Sequence, residues 1–431
     1  LHLSIRRQRQ MCIRDSYTGS GSTVNFARSV VNTTVTINAS SFESISFSGT
    51  STININGAIT LSNNFTSQTG TRTINLVTHQ INSTSGTGTF ALEGATTLTL
   101  TGSNNFPSGF VTYSPVNTST VNYSGTSAQT IAAVTYGILS LSNANTKTLA
   151  GNITVLGSLN IGAATLDVTT NNYRITLAGS FNNNASGSFL ARSGEVLFNG
   201  TIAQVINLDN VGTKAFYDIT VNKTVGTVIN PANFNLVVER NLFIQSGTFS
   251  ANGLVVNVGG DFIATAPGLF AQSGTYVLNR TAGNSAVIQT NNSNLNNLTL
   301  TPNSLVTYTL IDNLSVAGNL TMNAGTFEGA GKTIAIGTAN NNLNINGGTF
   351  NMGEGGILQI VTGGTIQVAS GATFRAVGSP SQNVTVTRRG AAGSFIVNIN
   401  GNIEARYYTF SFLGLTGILS LIHISEPTRP Y

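Results

Sequence analysis

Apolar and polar residues alternate with a period of two along most of the chain, in short stretches such as Ile153-Thr154-Val155, Tyr173-Arg174-Ile175-Thr176-Leu177 and Gly194-Glu195-Val196-Leu197-Phe198. This period sends successive side chains to opposite faces, so each stretch predicts a short strand with one buried face. Clusters such as Asn182-Asn183-Asn184 and Gly259-Gly260 separate the strands and supply turns. No stretch sustains apolar residues at three- and four-residue spacing, so helices are not expected.

A longer period overlies this alternation. Asn152-Ile153-Thr154-Val155-Leu156-Gly157-Ser158-Leu159 recurs as Asn235-Leu236-Val237-Val238-Glu239-Arg240-Asn241-Leu242 and as Asn313-Leu314-Ser315-Val316-Ala317-Gly318-Asn319-Leu320. Leu139-Ser140-Leu141, Ile219-Thr220-Val221 and Leu298-Thr299-Leu300 repeat at nearly the same spacing. A third marker, Val121 to Gln129, matches Val196 to Gln204 and, more loosely, Tyr276 to Thr281. Three units of about 80 residues therefore run from 119 to 351, flanked by degenerate strand-rich sequence over 17–118 and 352–418.

Within a unit, Val155, Ile175 and Val196 recur about every 20 residues, as do Val238 and Val258. A coil of that length suits one turn of a parallel β-helix, in which each coil buries its apolar face only when the next stacks on it. The expected fold is all-β, a right-handed parallel β-solenoid forming a rod on the order of 100 Å long, with coils ~4.8 Å apart. Leu166, Phe249 and Phe327 are expected in one interior column about four coils apart. Tandem β-sandwich repeats, which also read as short strands between turns, are the alternative.

Composition narrows the setting. Only 8% of residues are charged and Trp is absent, while 40% are hydrophobic, so the chain can build a core without the charged surface of a typical cytoplasmic enzyme. No apolar run reaches the ~18 residues of a membrane helix. The net charge of +5 is concentrated at the ends, because residues 1–16 and 419–431 hold five of the 19 basic residues and two of the 14 acidic ones. These ends also contain Cys12, the chain's one cysteine, and both resemble translated sequencing-adapter sequence: Arg6 to Asp15 at one end, Leu419 to Arg429 at the other. Set aside as adapter-derived, they leave a net charge of +2 and no thiol, which removes the case for nucleic acid or an anionic membrane.

The run from Asn313 to Phe327, Asn-Leu-x-Val-x-Gly-Asn-Leu-x-Met followed by Ala-Gly-Thr-Phe, resembles the very large secreted surface and adhesin-like solenoid proteins of environmental bacteria. The resemblance implies a bacterial, metagenome-derived fragment, exported to the cell surface or extracellular space as stalk, adhesin or matrix component. The expected partners are extracellular polysaccharide or cell-surface glycans; unpaired coil edges at the two ends predict self-association, and the lack of a long apolar run predicts no membrane insertion.

Chemistry-bearing residues are sparse, and no catalytic, cofactor or metal site is expected. Gly329-Ala330-Gly331-Lys332-Thr333 has the ending of a phosphate-binding loop, but Thr326 stands where its first Gly belongs and Ile334-Ala335-Ile336 follows as a strand. A β-helix polysaccharide lyase or hydrolase is the alternative function, and it needs converging carboxylates. Asp209 and Asp218 form the closest pair between the ends, and Asp167 and Glu328 are equivalent only in distant repeats. His79 reads as a turn or strand polar residue, Arg388-Arg389 as a solvated turn, and Glu404 and Arg406 as a same-face pair on a strand. Phe181, Phe249, Phe262 and Phe327 read as core, and the many asparagines as side-chain ladders at turns.

Overall fold

The computed structural model describes residues 12–13, 23–28, 34–38, 40–184, 186–209 and 215–420. The adapter-like ends lie outside the described residues apart from 12–13 and 419–420. The fold is an all-β solenoid of parallel strands, without helix among the described residues, with about 22 residues per turn and three strands in each. Backbone contacts divide the chain into two units, Leu1–Gly200 with Gln204–Lys214 and Thr201–Ala203 with Ala215–Tyr431.

In the first unit one sheet stacks Thr34–Ile37, Thr52–Ile55, Thr71–Asn75, Ala95–Leu100, Thr120–Tyr123 and Ile138–Leu141 in register. Every second residue points in: Ile53, Ile74, Leu98, Val121 and Leu139 form one buried interior column. The other two sides change sheet near residues 100–135, where Phe106, Phe110, Tyr113, Tyr123 and Tyr136 pack together. Burial of the two phenols is tolerated because Tyr123 Oη and Tyr136 Oη hydrogen-bond at 3.0 Å, and the pair also contacts the backbone of Ala132.

In the second unit an aromatic column forms where Thr326–Glu328, Thr349–Asn351 and Thr373–Val377 pair. Phe327 and Phe350 stack with ring centroids 4.6 Å apart, and Phe350 and Phe374 are 6.1 Å apart. Phe181, Phe249, Phe262 and Phe327 are all fully buried, as their alternation requires.

The expected register needs correction. Ile175 pairs with Ile153 and Val196, whereas Val155 pairs with Leu177; Val238 and Val258 do pair. The interior column of Leu166, Phe249 and Phe327 does not form. Phe249 lies in Thr248–Phe249 and Phe327 in Thr326–Glu328, strands of different sheets. The reason is arithmetic: the sequence repeat spans 11 strands, from Asp218–Asn222 to Asn297–Leu300 or from Leu236–Val238 to Leu314–Val316, and a turn holds three. One repeat is therefore three and two-thirds turns, and each new copy of the motif starts one side short of the last.

The repeated motifs nonetheless do the same local work. Asn152, Asn235 and Asn313, the first residues of the three octapeptides, each accept a backbone N–H from the following turn, from Arg174, Val255 and Thr333 at 2.8, 2.9 and 3.0 Å. A further corner repeats this device in series: Asn297 accepts from Asn319 N, Asn319 from Asn342 N, and Asn342 from Thr365 N. Asparagine ladders at turns thus run mostly from side chain to backbone, with Asn346 to Asn323 a side-chain pair just past its strands. Side-chain pairs such as Asn75 to Asn54 and Asn182 to Asn160 sit on the strands instead.

Candidate functional site

The Gly-rich segment Gly329 to Thr333 is a turn leading into a strand, and its backbone N–H groups are already used. Gly329 donates to Asn351 O, Ala330 to Glu328 Oε1, Gly331 to Met352 O, Lys332 to Gly329 O and Thr333 to Asn313 Oδ1. A phosphate cradle needs those donors aimed at a ligand. His79 lies in a turn, where its N–H donates to Leu76 O and its carbonyl accepts from Asn105 Nδ2.

Seven carboxylates are held individually. Arg192 grips Asp167 through two bonds of 3.0 and 2.8 Å, and this fork, helped by the Thr169 N–H, holds the carboxyl below the usual carboxylate range. Arg174 pairs with Glu195 at 2.9 Å, Arg240 with Asp218 at 3.2 Å and Arg375 with Glu404 at 3.0 Å. Asp261 accepts the Val287 N–H, Asp312 those of Thr290 and Asn291, and Glu328 binds Asn351 Nδ2 at 2.6 Å. Asp209 and Asp218 belong to different units. Among the described residues no group of three or more His, Cys, Asp or Glu is placed to hold a metal ion, and no helix is long and apolar enough to cross a membrane.

Two sequence-based readings change. Arg388 and Arg389 do not form a solvated turn; they end the strand Val384–Arg389 and are half-buried. Arg388 lies over the Phe412 ring, 3.9 Å from its centroid. Arg389 reaches along the stack, donating to Gly337 O at 2.9 Å, Val316 O at 3.3 Å and Ser315 Oγ at 3.2 Å. Glu404 and Arg406 do share the exposed face of Asn402–Arg406, but Glu404 pairs with Arg375 of the preceding turn.

Buried polar residues organise the turns. Gln129 accepts the Gly125 N–H at 2.9 Å and donates to Leu100 O and Gly102 O; Gln204 does the same with Gly200, Leu177 and Gly179. In the third repeat the equivalent N–H, that of Arg280, is taken by Tyr308 Oη at 3.2 Å. Lys147 Nζ donates to Gly125 O and Ser127 O, and Lys223 Nζ to Ile202 O at 2.8 Å. Arg72 donates to Gly49 O, Gln68 O, Thr69 O and the hydroxyls of Ser67 and Thr96. Lys147 was identifiable from sequence, because alternation in Thr146-Lys147-Thr148-Leu149 places it on the inward face.

Burial lowers the pKa of Lys147 and brings that of Lys223 down to about 8. The folded state then releases the Lys223 proton near pH 8, whereas the unfolded chain keeps it to about 10.5, so stability rises with pH across that interval. Tyr308 acts oppositely: burial raises it to about 12, the unfolded phenol ionises near 10, and stability falls above that pH. Denaturant midpoints are expected to climb from pH 8 to about 10 and then decline. Lys223→Met should flatten the climb, and an unchanged profile in that variant would contradict the assignment.

What the outward faces share is a row of neutral hydroxyls. Thr34, Thr52, Thr73, Thr97 and Thr120 stand in register in the first unit, and Thr307, Thr326, Thr349 and Thr373 in the second. No protein-family model, curated protein or solved structure matches the chain.

Proposed function

We propose that the chain is a non-catalytic segment of an extracellular or cell-surface bacterial protein, acting as stalk and adhesive surface through repeated weak contacts. The threonine rows carry this reading. Each turn presents the same neutral hydroxyl about 4.8 Å from the last, so an extended partner meets many equivalent donors and acceptors in place of one deep site. The carboxylates support it too, since each of the pairs above commits an acid to a structural partner, whereas glycoside hydrolysis needs two acids free to act on one bond.

The test is a panel of bacterial, algal and plant polysaccharides in which bound protein and released reducing ends or unsaturated products are recorded together. Binding without product is the expected result. Product release would overturn the non-catalytic reading and favour a polysaccharide-degrading β-helix.

A further inference from the structure

The strand Tyr408–Phe410 closes a turn of the second unit, pairing with Val384–Arg389 of the turn before. The residues flanking it, Tyr407 and Phe412, have φ of 49° and 62°. That left-handed region costs a bulky side chain about 1 kcal/mol or more, and the other turns of this unit place Gly, Asn or the small Ala330 there, as at Asn252, Gly325 and Gly348. Both rings are nonetheless held at the surface, 45% and 50% exposed. Tyr408, although in register with buried Val384, is itself 48% exposed, so this strand adds a third ring to the surface.

Each flanking ring carries a guanidinium. Arg388 stacks on Phe412, and Arg406 lies 5.7 Å from the Tyr407 centroid. Neither arginine has a carboxylate partner among the described residues, unlike Arg174, Arg192, Arg240 and Arg375, and the adjacent Glu404 is taken by Arg375. Between the two corners Thr409 is exposed, and Ser411 Oγ bonds Thr387 Oγ1 at 2.9 Å. The rings are five positions apart, a span of at most roughly 17 Å and about three linked sugar rings.

Resting on the adhesive reading above, we infer that the face bounded by Tyr407 and Phe412 binds a carboxylate-bearing polysaccharide. Sugar rings stack on the two aromatic corners, and uronate carboxylates pair with Arg388 and Arg406. Aromatic faces suit the apolar faces of sugars, and the planar guanidinium fork matches a carboxylate. A neutral glycan leaves the two arginines uncompensated, and nucleic acid calls for a wider basic face.

Affinity electrophoresis of the full chain in gels containing alginate, polygalacturonate, dextran or DNA tests this, with absorbance of unsaturated products followed in parallel. Retardation is expected in alginate or polygalacturonate, weakening with salt, and not in dextran or DNA. Replacing both rings (Tyr407→Gly with Phe412→Gly) relieves the backbone, so thermal stability should hold or rise while binding weakens at least about tenfold. Arg388→Gln with Arg406→Gln should abolish the salt-sensitive retardation. No retardation by either uronate polymer, equal retardation by dextran or DNA, or full retention in the glycine pair would each overturn the site. Undiminished uronate binding in the glycine pair leaves the adhesive reading intact, whereas product release overturns the non-catalytic reading whatever the variants do.

Discussion

Phe350→Ala is expected to destabilise the second unit by about 3–5 kcal/mol, the range for emptying a fully buried aromatic site. Phe350 sits between Phe327 and Phe374 in the interior column, so truncation opens a cavity that faces two inter-turn contacts at once. Backbone ladders on both sides hold the turns at fixed spacing, which limits collapse around the gap. Stacked repeats need not unfold in one step, so the denaturant midpoint should be read with hydrogen exchange over residues 326–377, where protection is expected to fall first. Thr349→Ala on the outward face of the same strand is the control, with an effect within about 0.5 kcal/mol. A loss below about 1 kcal/mol for Phe350→Ala would mean that the column is not a tightly packed core.

Gln129→Leu should be comparably severe for a different reason. The substitution puts an apolar side chain in the buried position but strands the Gly125 N–H and the Gly102 carbonyl, while Leu100 O keeps only its Ser124 donors. Each group left without its partner costs about 1–3 kcal/mol, so for these two roughly 2 kcal/mol or more is at stake. Lys147 crosses above the same turn and binds Gly125 O, so disorder of the turn also exposes that ammonium to a lost partner. Thermal unfolding and limited proteolysis at residues 125–131 would register the change. Gln204→Leu should match it, although Gln204 stands 11 strands later on another side of the coil. Unequal losses would show that the two motifs share sequence but not energetics.

These two residues mark how far the sequence can be read. Strand existence and inward faces were legible because alternation alone sets them, and the repeat was legible because its motifs are copied in order. The side of the coil on which each copy lands was not, because it depends on the remainder when 11 strands are divided among turns of three, and that requires every strand to be counted. A count from apparent spacing also mispaired Val155 with Ile175, since corner lengths vary: residues in register are 20 apart at Leu139 and Leu159 but 29 apart at Phe374 and Ile403. The polar framework was only partly visible. Asn152, Asn235 and Asn313 announced themselves as repeated letters, but their partners are backbone N–H groups of the next turn, which carry no sequence signature. Arg388 and Arg389 looked like turn residues because Gly390 follows; the acceptors of Arg389 lie in earlier turns that local reading does not reach.

Arg389 has a mechanical consequence. A stack of turns pulled from one end gives way like a zipper, each turn detaching by breaking the few bonds that join it to its neighbour. Such failure needs little force because the bonds are loaded in sequence. Arg389 breaks that sequence by anchoring its own turn to Gly337 and to Val316 and Ser315, further down the stack. An unzipping front that reaches it must strip three bonds to two different turns together, so the fold contains a local stop against traction.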